Sequence, residues 1–144
     1  MNDGRPELPK IAGILETAVY VDDLRTARSF YEDRLGLRCM FEDARLCAID
    51  VGGRGVLLLF QRGESLAPVK LPGGTIPPHD GHGPLHMAFA VTGDELRAWE
   101  ETLPALGVPI ESTVDWPRGG RSIYFRDPDR HLLEMASPGI WPIY

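Results

Sequence analysis

Two stretches of this chain are written to one plan. Glu16-Thr-Ala-Val-Tyr-Val and His86-Met-Ala-Phe-Ala-Val each open an alternating segment with a metal-capable side chain, and each leads into a helix pattern. Side chains of a strand alternate between faces, so Ile14, Glu16, Ala18 and Tyr20 share one face. Leu15, Thr17, Val19 and Val21 share the other, which is the expected core face. Asp22 or Asp23 can cap the following helix, whose apolar positions Leu24, Ala27, Phe30, Tyr31 and Leu35 recur at helical spacing before Gly36 stops it. Strands are predicted near 38–42, 46–51 and 56–60, with Gly52, Gly53 and Gly55 in the turn between the last two.

The second unit repeats that order. A strand starts at Leu85, Thr92-Gly-Asp-Glu fits a capping box, and Leu96, Trp99, Leu103 and Leu106 point inward from a helix whose last turn Pro104 distorts. Strands are predicted near 110–114, 122–126 and 132–136. Glu16 and Gly36 are 20 residues apart and His86 and Gly107 are 21 apart, so βαβββ is written twice. The fold class is α+β: two tandem βαβββ modules, 11–62 and 85–138, in a single domain over 1–144. Between them, the proline- and glycine-rich stretch 63–84 reads as a linker or lid. His79 and His82 belong to that flexible stretch, with little metal role. Residues 1–10 read as a loose arm.

Composition narrows the function. A chain of 144 residues with 43% hydrophobic residues can bury a proper core without staples. Its two cysteines, Cys39 and Cys47, are too few and too close for a secreted disulfide framework, which points to a reducing compartment. No stretch approaches the roughly 20 apolar residues of a membrane span, and the N-terminus lacks a signal peptide's pattern. The expectation is a soluble, cytoplasmic protein. A net charge of −6 argues against a general nucleic-acid binder and leaves a small molecule as the expected partner.

From Ile14 to Pro138 the chain resembles the vicinal oxygen chelate superfamily, which includes glyoxalase I, extradiol dioxygenases, fosfomycin-resistance enzymes and bleomycin-resistance proteins. The resemblance rests on Val21-Asp-Asp-Leu, Phe30-Tyr31 and Leu35-Gly36-Leu37, on His86 opening the second module, and on Tyr124-Phe-Arg-Asp-Pro-Asp with Glu134 ten residues after Tyr124. It implies modules that form a curved mixed sheet around a metal-binding cavity, with Glu16, His86 and Glu134 as ligands of one divalent ion: manganese, iron, zinc, nickel or magnesium. It also implies bidentate chelation of a small oxygenated substrate and, by analogy, a homodimer.

Physical chemistry supports that transfer. Two carboxylates inside strand patterns need a cation, because an unpartnered buried carboxylate costs several kcal/mol. Ala18, Ala88, Ala90 and Ala136 on the same faces are small where a core wants bulk, which leaves a cavity. One imidazole and two carboxylates leave coordination positions free for water or substrate.

Departures from the family narrow the reaction. Repeat symmetry places Leu57 opposite Glu134, so the fourth ligand of glyoxalases is missing, and Tyr20 stands where glyoxalases carry an arginine for glutathione. The acid–base histidine of extradiol enzymes would fall among Asp115, Trp116 and Pro117, and Arg130 replaces a usual glycine. A redox-neutral lyase, isomerase or hydrolase-like reaction leads, with an extradiol-type dioxygenase using Fe(II) or Mn(II) as one alternative and a metal-free, bleomycin-resistance-like binding protein as another. Tyr124 is the expected proton-transfer group, with Glu134 or Glu16 as base. Tyr20, Ser122, Arg118 and Arg121 are the candidate substrate contacts.

Overall fold

The computed structural model describes Gly4 and residues 6–144; the rest of the N-terminal arm lies outside the described residues. The first module runs β1 (Glu16–Val21), α1 (Leu24–Asp33), β2 (Arg38–Glu42), β3 (Leu46–Val51) and β4 (Gly55–Gln61). A hairpin of β5 (Val69–Leu71) and β6 (Gly74–Ile76) follows. The second module runs β7 (His86–Ala90), α2 (Gly93–Ala105), β8 (Ser112–Asp115), β9 (Arg121–Arg126) and β10 (Leu132–Ala136). Each module is its own four-stranded mixed sheet, ordered β1-β4-β3-β2 in one and β7-β10-β9-β8 in the other. In both, the first strand is parallel to the last and the remaining pairs are antiparallel.

The register aligns the two copies residue by residue. Glu16 pairs with Val56 and His86 pairs with Leu132, so the position equivalent to Glu134 is Leu58, not Leu57. Leu57 points the other way, into the core. The slip arises in Val56-Leu-Leu-Leu-Phe60, where an unbroken apolar run hides the period of two. Leu58 is equally unable to coordinate a metal.

Local chemistry sets both helices. The Asp23 carboxylate accepts from Thr26 N at 2.8 Å, and Thr92 Oγ1 accepts from Glu95 N at 3.1 Å. Past the C-termini, Gly36 and Gly107 take φ of +69° and +79°, which glycine adopts at no steric cost. Leu37 N then bonds Tyr31 O at 3.1 Å and Val108 N bonds Leu103 O at 2.9 Å.

One core unites the modules. Val19, Val21, Leu57 and Leu59 meet Leu24, Ala27 and Tyr31 of α1, and the same cluster holds Leu96, Leu103, Ile123, Phe125, Leu133 and Met135 of the second module. Burying each such side chain contributes roughly 1.5–3 kcal/mol. The predicted core face of β1 is thus buried at its C-terminal end, whereas Leu15 and Thr17 are exposed where the strand begins. Leu106 is also more exposed than its helical spacing suggests. Among the described residues no helix is long and apolar enough to cross a membrane.

The stretch 63–84 carries the short hairpin and folds back on the first sheet. There Tyr20, Leu46 and Phe60 form a second cluster, and His79 packs at 4.5 Å between ring centroids from Phe60. The result is one covered sheet face in the first module and one open face in the second, where His86, Ala88 and Ala90 are exposed.

The Asp127-Pro-Asp-Arg-His131 turn ties the halves together. Asp127 accepts from the Tyr31 hydroxyl at 2.7 Å and from His131 N at 2.8 Å. Asp129 Oδ1 accepts from Asp22 N at 2.8 Å. His131 is 1% exposed; its Nδ1 accepts from Leu85 N at 2.9 Å and its Nε2 donates to Tyr20 O at 2.8 Å. Arg130 sits at φ +68°, a left-handed conformation that suits glycine and costs a residue with a Cβ about 1–2 kcal/mol.

Candidate metal centre

On the open face of the second sheet, strand pairing sets Glu134 between Ala88 on β7 and Tyr124 on β9. One step along, His86 leans over, bringing its Nε2 to 3.3 Å from Glu134 Oε1. Glu134 is 7% exposed, so its charge is held largely away from water. His86 Nδ1 lies 2.8 Å from Leu132 O, and since a carbonyl only accepts, Nδ1 carries the hydrogen. In the neutral imidazole Nε2 then presents a lone pair. A lone pair and a carboxylate oxygen that face each other are stable only with a proton or a cation shared between them. This donor set, with the second imidazole nitrogen committed to a carbonyl, is the arrangement that histidine metal ligands use.

The other carboxylate oxygen is fixed by a relay. Ser122 Oγ donates to Glu134 Oε2 at 2.5 Å and accepts from Trp116 Nε1 at 2.9 Å. Ser122, a candidate substrate contact by sequence, is fully buried and spends its hydroxyl on Glu134. Tyr124 lies beside His86, with ring centroids 6.3 Å apart. Burial, and then the neighbouring Glu134 charge, raise the Tyr124 phenol above its ordinary value, so it stays a proton donor at neutral pH.

Above this pair opens a cavity of about 390 Å³ whose lining includes Ala88, Ala90 and Ala136, the small residues expected there. Its far wall comes from a segment the sequence reading left outside the second module. Gly120 and Gly139 cross so closely that a Cβ on Gly120 would come within 2.7 Å of the Gly139 backbone, and the chain then turns back over the sheet. Ile140, Trp141 and Tyr144 line the cavity, and the Tyr144 hydroxyl shares its one hydrogen between Ala136 O at 2.8 Å and Val91 O at 3.0 Å. The cluster Trp141-Pro-Ile-Tyr144 at an otherwise irregular end was the available signal.

The remaining predicted residues lie elsewhere. Glu16 is exposed and lines a shallow neighbouring hollow with Thr17, Val56, Met87 and Ala88. Among the described residues no three His, Cys, Asp or Glu side chains converge to hold an ion within one chain. Tyr20 is buried under the linker, its hydroxyl 2.7 Å from His79 Nδ1. Arg121 is engaged by Glu100 at 2.5 Å and Asp115 at 2.7 Å, and Arg118 lies exposed on the preceding turn. Neither arginine lines the cavity. A larger open groove beside α1, about 800 Å³, is lined by charges that satisfy one another, with Arg28 bridging Glu32 and Glu42 at 2.5 Å each.

The sequence profile of the glyoxalase/bleomycin resistance protein/dioxygenase superfamily matches residues 13–135. The chain belongs to this superfamily. The crystal structure of lactoylglutathione lyase from Agrobacterium tumefaciens superposes with a TM-score of 0.84 at 33% identity, over 93% of this chain and 99% of that one. Metallothiol transferase FosB from Bacillus licheniformis is 29% identical over 92% of this chain and 79% of its own length. The fosfomycin resistance protein FosX from Listeria monocytogenes is 41% identical over a shorter match, 35% of this chain and 38% of its own. Two of these relatives carry enzyme names, a lyase and a transferase.

Proposed function

We propose that this chain is a metal-dependent enzyme that performs a redox-neutral reaction on a small oxygenated organic molecule, with His86 and Glu134 as metal ligands. The observation that carries this reading is the pair of facing acceptors, His86 Nε2 and Glu134 Oε1, with Nδ1 committed to Leu132 O. A divalent ion, when bound, supplies Lewis acidity that polarises a substrate oxygen. The chain's own residues do the rest. Ser122 and Trp116 hold Glu134 in place, the apolar walls exclude water, and Tyr124 donates a hydrogen bond or proton to the oxygen on which charge develops.

We assign the third ligand to Glu16 of a second copy. The support is that Glu16 does not reach the cavity of its own chain, while Ile14 and Leu15 beside it are 88% and 69% exposed, an apolar border that a dimer would bury. The metal is one of manganese, iron, zinc, nickel or magnesium, since imidazole and carboxylate donors suit them all.

Metal titration of chelator-stripped protein tests this. One ion per chain is expected, lost in His86→Ala and Glu134→Ala; no uptake by the wild type would end the proposal. Mixing Glu16→Ala with His86→Ala chains should restore tight sites if each site draws on two copies. Turnover is then sought with lactoylglutathione, after the name of the Agrobacterium neighbour, and with fosfomycin plus a thiol, after the names of the FosX and FosB relatives.

A further inference from the structure

The cavity itself restricts what can be the substrate. Its base is alanine, its volume is about 390 Å³, and indole and phenol rings of Trp116, Trp141 and Tyr144 stand around it. No lysine or arginine is among its lining residues. The nearby Arg121 faces outward into its pairs with Glu100 and Asp115. A phosphonate or phosphate group on the substrate's body, out of reach of the ion that its chelating oxygens occupy, would lose its water and find no cationic side chain to replace it, a cost that charged groups escape only when paired. A flat apolar body would instead fill the space between rings, where offset stacking adds to the gain from burial.

The ring wall is preformed. Backbone N–H groups of Gly139, Ile140 and Trp141 converge on Tyr144 O at 3.0 to 3.2 Å, and the Tyr144 hydroxyl pins that loop to the sheet through Val91 O and Ala136 O. Trp141 is nonetheless 67% exposed at the rim, a large ring surface with space beside it. Stacking against a wall already in place loses little freedom on binding.

We infer that the substrate carries an aromatic or similarly flat apolar body next to its metal-binding oxygens, and no dianionic group, with Trp141 as the ring that selects it. This rests on the metal reading above.

Two hydroxamates separate the chelating end from the body. Zinc-loaded protein is titrated with acetohydroxamate, benzohydroxamate and methylphosphonate. Benzohydroxamate is expected to bind at least ten-fold tighter than acetohydroxamate. In Trp141→Ala that ratio should fall close to one while acetohydroxamate binding is unchanged, and Trp141→Phe should keep most of the preference. Equal binding of the two hydroxamates, or methylphosphonate competing as well as benzohydroxamate, overturns the inference. If the wild type takes up no ion, the metal reading fails, and metal-free protein is examined with benzyl alcohol by saturation-transfer NMR. Transfer that disappears in Trp141→Ala then upholds the aromatic pocket, and absence of transfer in the wild type overturns it.

Discussion

The Ser122 hydroxyl donates to Glu134 Oε2 at 2.5 Å while Trp116 Nε1 donates to Ser122, so an indole two elements away orients the proposed metal-binding carboxylate. Ser122→Ala frees that carboxylate to rotate. Divalent-ion affinity is expected to fall by about 10–100-fold, with Trp116→Phe causing a smaller loss. Competition against a fluorescent chelator measures both, and unchanged affinity in Ser122→Ala would leave the relay without a role at the metal.

His131 is a structural residue despite its place beside the family motif. Its removal strands Leu85 N–H, leaves Tyr20 C=O with Arg62 as its remaining side-chain donor, and opens a void where the ring, 1% exposed, was buried. His131→Ala should destabilise the fold by about 2–4 kcal/mol, combining a cavity with an unsatisfied backbone donor. Urea denaturation reads the loss directly.

Burial pushes the Cys47 thiol up to about 12, with the neighbouring Cys39 thiol, 3.1 Å away between sulfurs, adding to the shift. Thiolate is the reactive form, so native Cys47 should resist iodoacetamide from pH 7 to 10 and react once the chain is unfolded. Mass spectrometry of the Cys47 peptide provides the check. Rapid native labelling at pH 8 would show that the strand pair β2–β3 opens far more than its burial suggests.

Asp129 titrates in the less common direction. Burial raises its carboxyl above the ordinary value, against the opposing hydrogen bond from Asp22 N–H, and nearby Asp127 reinforces the rise. The folded chain therefore holds this proton more tightly than the unfolded one. The stability from this group is present below its unfolded value near 3.9 and is lost as pH rises through the folded value. Asp129→Asn keeps an acceptor for Asp22 N–H, so it should be more stable than wild type at pH 7, with the gap narrowing towards pH 4. Thermal melts at both pH values decide; a gap that widens in acid contradicts the assignment.

Much of this was legible in the residues. The repeat of β1–α1 and β7–α2 rests on local signals, namely period two, helical spacing, caps and left-handed glycines, and these survive folding unchanged. The meeting of His86 and Glu134 was readable for the same reason, since register within one sheet brings them together. What lay beyond the sequence depends on contacts between distant segments. Tyr20 was on the right face, but nothing local says that His79 and the linker cover it. Ser122 reads as a substrate contact, but its hydroxyl serves Glu134 because the indole of Trp116 reaches it across the β8–β9 turn. Trp141 and Tyr144 follow the last strand, where no periodicity marks a wall, and Leu57 was mistaken for Leu58 because a purely apolar run carries no phase.

The Asp127–His131 turn has an implication for how the molecule melts. Its side chains satisfy backbone groups of the first half, at Asp22 and Tyr20, and the Tyr31 phenol as well, while the other nitrogen of His131 holds Leu85 at the start of its own half. Neither duplicated half is therefore autonomous. Calorimetry should record one peak for the whole chain, and a fragment ending before the hairpin should remain unstructured until the missing half is supplied.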